Sequence, residues 1–128
     1  MDGSRPHIML FDSSQLIRQL MDALLTEEHY RVTVSTFLPT AFEQIAALQP
    51  SLLIIDLAFH QRVGWELLEQ LARDALTRNI PVLMTSTDAS LLERAEANQV
   101  RYGGQSWIAK PFEIEVIMDE VRRLTAPA

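Results

Sequence analysis

The chain has 128 residues, 48% of them hydrophobic, with no cysteine and a formal net charge of −6. That is the size of one domain with room for a substantial core, and the lack of cysteine excludes a disulfide scaffold and thiolate chemistry. The eleven lysines and arginines are scattered, which argues against nucleic acid, since phosphate contacts need a concentrated basic face. No apolar stretch approaches the roughly 20 residues a bilayer crossing requires, and no charged-then-apolar leader opens the chain. The expectation is a soluble, acidic, cytoplasmic domain.

Residues 1–6 read as a polar lead-in, and the expectation is a domain over 7–125 with no output domain. His7 to Phe11 reads as the first strand. Leu16, Ile17, Leu20, Met21 and Leu24 then recur with helical period, and Glu27-Glu28-His29 closes that helix. Arg31 to Ser35 is a second strand with Val32 and Val34 on one face. Thr40 and Glu43 form a capping box for a helix carrying Phe42, Ile45, Ala46 and Leu48, which Gln49-Pro50 stops.

The run Leu52-Leu53-Ile54-Ile55, ending at Asp56, is too short for a helix with its own caps and reads as a strand buried on both faces. A loop from Leu57 to Gly64 leads into a helix from Trp65 to Arg73. Pro81 to Thr85 is strand four. Ser90 and Glu93 box the start of helix four, which runs through Asn98, and Gly103-Gly104 turns the chain into strand five, Ser106 to Ala109. Helix five spans Glu113 to Leu124, with Ile114, Ile117, Val121 and Leu124 inward. Strict alternation predicts βαβ units around a parallel sheet, a flavodoxin-like three-layer α/β fold with strand order 2-1-3-4-5 and five helices.

Right-handed crossovers bring every strand's carboxyl end to one rim of the sheet. Asp12 follows strand one, Asp56 ends strand three and Lys110 follows strand five, so two acids and a base converge there. Like charges a few ångströms apart repel unless a cation separates them. Paired carboxylates suit Mg²⁺, which takes one or two of them and keeps several waters. With the hydroxyl of Ser86 just beyond strand four, the rim has the groups to hold a phosphoryl group, and a carboxylate can accept one covalently.

These residues resemble the receiver domain of bacterial two-component response regulators, of the chemotaxis-regulator type. The resemblance covers about residues 7 to 125. It rests on Phe11-Asp12-Ser13-Ser14 with Arg18, Asp56-Leu57 with Gly64, Pro81-Val82-Leu83-Met84-Thr85-Ser86, and Lys110-Pro111-Phe112. It implies that Asp56 is the phosphoacceptor, Asp12 an acidic-pocket residue and Lys110 the lysine that contacts phosphate. It further implies that Ser86 supplies the switch hydroxyl, Trp107 the switch aromatic and Ala58 the main-chain carbonyl on Mg²⁺. The implied function is a stand-alone phosphorelay receiver, not an enzyme. It would take a phosphoryl group from a histidine kinase or phosphotransfer protein and signal through helix four, strand five and helix five, as a monomer or weak homodimer with no nucleic-acid or membrane partner.

Three departures qualify the match. Ser13 stands where the family usually has a second acid that touches Mg²⁺, so metal binding is expected to be weak. His60 replaces a common proline, and the stretch between Ser86 and Lys110 is longer by about two residues. Ser13 also keeps open a second reading, a pseudo-receiver that is never phosphorylated. A Mg²⁺-dependent phosphatase ranks lower, because Leu57 and Ala58 follow Asp56 where a second acid would be needed. Bland roles remain for single residues: Asp12 as a helix cap, Asp56 as a loop starter, Lys110 as an exposed strand-end lysine and Trp107 as core.

Overall fold

The computed structural model describes residues 5–37, 39–58 and 62–127. The elements run β1 (His7–Phe11), α1 (Gln15–Glu27), β2 (Arg31–Ser35), α2 (Ala41–Leu48), β3 (Leu52–Asp56), α3 (Arg62–Arg73), β4 (Val82–Ser86), α4 (Ala89–Ala97), α5 (Gln99–Tyr102), β5 (Ser106–Ala109) and α6 (Ile114–Thr125). The strands form one parallel sheet in the order β2-β1-β3-β4-β5, as predicted. β3 and β4 are buried at every position, which is why they read as unbroken apolar runs instead of alternating ones.

Alternation along each strand sends its side chains to two different cores. Ile8, Leu10, Ile54, Leu83 and Ile108 pack under α1 and α6 with Met21, Leu25, Ile117 and Val121. Met9, Phe11, Leu53, Ile55 and Met84 pack under α2, α3, α4 and α5 with Ile45, Leu68, Ala95 and Tyr102. This division of the sheet into two sides fixes where each functional side chain emerges.

Several local expectations are corrected. Among the described residues there are six helices, because Gln99–Tyr102 forms its own turn, α5, after Asn98 ends α4. Asn98 serves both: its side-chain amide donates to the Arg94 carbonyl, and its own carbonyl accepts from Arg101 and Tyr102. Four residues are too few to show a helical period in sequence. α4 is capped by Asp88, whose carboxylate accepts from the Ser90 amide at 2.9 Å, so the Ser90–Glu93 box does not form. Thr40 likewise makes no side-chain cap for α2 among the described residues. α3 begins at Arg62, ahead of the expected Trp65, since Gly64 sits inside the helix against Phe37; packing overrides the poor helix propensity of glycine.

The inward stripe of α1 is centred on Met21 and Leu25, leaving Leu16 and Leu20 exposed at its edge. On α6, Ile114 is also exposed, lining a groove against α1 with Leu24 and Met118. The helix stop at Gln49 holds: it takes φ 47°, ψ 61° and so leaves the α region before Pro50. His60 lies outside the described residues.

Gly104 sits in a crowded turn. Its φ is +106°, and a Cβ there would lie 2.8 Å from Met84 Cε and 3.0 Å from Trp107 Cζ2. Gly104→Ala is therefore expected to destabilise the fold by about 1–3 kcal/mol from backbone strain and overpacking together. A urea titration checks this: the midpoint falls at an unchanged slope, and an unchanged midpoint contradicts it.

Candidate functional site at the carboxyl rim of the sheet

Asp12, Asp56 and Lys110 come together as expected. Lys110 Nζ lies 2.5 Å from Asp12 Oδ2 and 2.9 Å from Asp56 Oδ1, so one ammonium bridges both acids. The reason is alternation. Asp12 continues the side of Leu10, Asp56 that of Ile54 and Lys110 that of Ile108, so all three emerge on the α1/α6 side of the sheet. Asp12 and Asp56 are buried, at 2% and 9% exposure.

Asp12 is fixed from three directions, two through its backbone and one through its carboxylate. Its amide donates to the Ser35 carbonyl at 3.1 Å, and its carbonyl accepts from the Arg18 guanidinium at 2.7 Å. Its other carboxylate oxygen accepts from the Ser14 amide at 2.9 Å. The cap of α1 is Ser14, which accepts from the Ile17 amide at 3.3 Å. Asp12 thus orders the entry to α1 and faces Lys110 at once.

Burial pushes the Asp56 carboxyl above its ordinary value. The hydrogen bond from Lys110 pulls it back, and the charge of Asp12 pushes it up again. Two buried carboxylates against one ammonium leave a net negative pocket, which attracts a cation.

Sequence reasoning missed Thr85. It lies in register with Asp56 across β3 and β4, and its hydroxyl donates to Asp56 Oδ1 at 3.2 Å. A threonine closing the apolar run Val82-Leu83-Met84 was the available signal. Ser86, one residue on, emerges on the opposite side of the sheet and is fully buried. Its hydroxyl donates to the Leu57 carbonyl at 2.6 Å and accepts from the Asp88 amide at 3.0 Å. In this state the hydroxyl on the Asp56 carboxylate is that of Thr85, and Ser86 grips the peptide that follows.

Trp107 pairs with Met84 across β4 and β5 and packs half-buried on the α2–α5 side, with Ser86. Its buried indole N–H has no hydrogen-bond partner among the described residues.

Mg²⁺ fits this donor set in part. Two adjacent buried carboxylates and the main-chain oxygen of the half-buried Ala58 are the hard oxygen donors such an ion takes, water filling the rest. Ser13 is exposed and adds no charge, and no cluster of three or more ligating His, Cys, Asp or Glu side chains occurs among the described residues. No described helix is long and apolar enough to cross a membrane.

The sequence matches the response regulator receiver domain family over residues 8–122. It is 26% identical over 118 residues to the response regulator PleD of Caulobacter vibrioides, covering 92% of this chain but only 26% of PleD's length. The fold is similar to chemotaxis protein CheY4 of Vibrio cholerae, with a TM-score of 0.80 at 22% identity over 94% of this chain and 99% of that one. It also resembles the receiver domain of the sensor histidine kinase PA1611 of Pseudomonas aeruginosa, with a TM-score of 0.81 at 18% identity over 97% and 100% of the two chains. That receiver has a magnesium ion coordinated in its active site cleft.

Proposed function

We propose that this chain, which belongs to the response regulator receiver domain family, accepts a phosphoryl group on Asp56 and thereby changes its protein contacts. The observation that carries the reading is the buried triad in which Lys110 bridges Asp12 and Asp56. The donor would be the phosphohistidine of a histidine kinase or phosphotransfer protein. An Asp56 carboxylate oxygen attacks phosphorus as the bond to the imidazole nitrogen breaks, and the electron pair leaves with the imidazole. Lys110, already at the rim, transfers its contact from the carboxylate to the new phosphoryl oxygens, and Thr85 steadies the other carboxylate oxygen.

Asp12, Asp56 and the Ala58 carbonyl would hold Mg²⁺, which when bound neutralises charge on the transferring group. The added charge favours a state in which Ser86 leaves the Leu57 carbonyl for the phosphoryl group and Trp107 repacks. The face formed by α4, β5 and α6 then shifts its affinity for a downstream protein. On this reading the chain acts as a cytoplasmic receiver and not as an enzyme on small substrates.

The exposed Ser13 favours a second reading, an interaction module of the same fold that is not phosphorylated. Incubation with Mg²⁺ and acetyl phosphate, followed by intact mass measurement, separates the two. The expected result is a single phosphoryl adduct, absent in Asp56→Asn. No adduct on a folded protein supports the interaction module, and an adduct that persists in Asp56→Asn removes Asp56 from its role.

A further inference from the structure

A cavity of about 330 Å³ opens between α3, α4 and α5, lined by Arg62, Trp65, Glu66, Glu69, Arg94, Arg101 and Tyr102 among others. It lies beneath the other side of the sheet from the acid triad, and none of its lining takes part in the chemistry above. Its size falls at the lower end of the range for small-molecule sites.

The aromatic part is already assembled. Trp65 and Tyr102 meet edge to face with centroids 4.8 Å apart, and the Arg94 guanidinium lies 5.1 Å above the Trp65 ring. Arg101 sits 5.2 Å over Tyr102 and is paired with Glu69 at 3.2 Å. Neither Arg62 nor Arg94 has an ion-pair or side-chain hydrogen-bond partner among the described residues. Three guanidinium groups thus face two carboxylates, one of them already paired, in a chain of net charge −6.

A structural cation–π contact explains one face of Arg94, an effect of about 0.5–1 kcal/mol at an exposed site. It leaves the N–H edge and outer face of that guanidinium unexplained, and Arg62 entirely so. A guanidinium edge binds phosphate oxygens in pairs, and its flat face stacks on planar rings. We propose that this cavity binds a nucleoside monophosphate, the base stacked on the outer face of Arg94 and the phosphate held between Arg62 and Arg94. A polymeric nucleic acid is disfavoured, because the basic groups form one small pocket on an otherwise acidic molecule.

The test uses the full chain carrying Trp107→Phe, which leaves Trp65 as its single tryptophan, in chelator so that the acid rim contributes nothing. AMP and GMP are titrated against Trp65 fluorescence and by calorimetry, beside inorganic phosphate, ribose 5-phosphate and a glutamate-rich peptide. Saturable binding of either nucleotide is expected, weakened about tenfold or more by Arg62→Gln and by Arg94→Gln and unchanged by Asp56→Asn. Arg62 is exposed, so its replacement leaves the fold intact even if Arg94→Gln does not. The proposal is overturned by no saturable binding of either nucleotide, by equal binding of inorganic phosphate, ribose 5-phosphate or the peptide, by indifference to Arg62→Gln, or by loss of binding in Asp56→Asn.

Discussion

Lys110→Met is expected to destabilise the folded chain by about 3–5 kcal/mol at neutral pH, the usual cost of removing one partner from a buried ion pair. Methionine preserves the volume of the stem but takes away the ammonium that contacts both Asp12 and Asp56. Two buried carboxylates would then face each other uncompensated. The pH dependence identifies the cause.

The Asp56 carboxyl is already held above its ordinary value of 3.8 in the folded state. A carboxyl raised on folding binds its proton more tightly in the native than in the unfolded chain, so it contributes stability at low pH. That contribution is lost as pH climbs from the unfolded value through the folded one. Lys110 is the main group holding Asp56 down, so its removal raises the folded value further and deepens the loss. The two proteins should therefore unfold at similar denaturant concentrations near pH 4 and diverge as pH rises. A gap that stays constant with pH would mean that Lys110 acts through packing alone.

Ser13→Asp is expected to tighten Mg²⁺ binding about tenfold or more, because it adds a full charge within a few ångströms of a divalent ion. The wild-type rim presents two carboxylates, and Lys110 offsets one of them. Ser13 adjoins Asp12 at the approach to α1 and is exposed, so a carboxylate there loses little solvation and disturbs no core contact. Calorimetric titration measures the affinity directly, and adduct formation at limiting Mg²⁺ should accelerate in parallel. Equal affinity in the two proteins would place the cation away from Asp12 and Asp56.

The parallel sheet was legible from sequence because its central strands are buried on both sides. Leu52–Ile55 admits no polar residue, and the first charge, Asp56, marks the strand end. The convergence of Asp12, Asp56 and Lys110 was legible for the same reason: each is the first charged residue after an apolar run. What stayed hidden depends on register and on sides of the sheet. Thr85 meets Asp56 only because β4 pairs with β3 at that offset, and neighbouring Ser86 points away for the same cause. The caps were misread where two candidates stood close together. Asp88 precedes Ser90, and its carboxylate reaches the Ser90 amide and hydroxyl at once. α5 was invisible because a single turn leaves no periodic trace.

The segregation of Asp56 and Ser86 to opposite sides of the sheet makes β3 and β4 a partition between a chemical compartment and a mechanical one. The Leu57 carbonyl, one residue beyond Asp56 and gripped by the Ser86 hydroxyl, touches both. News of an event at the carboxylate has two short crossings of that wall, this carbonyl and the Lys110 amide, which donates to the Ser86 carbonyl at 2.7 Å.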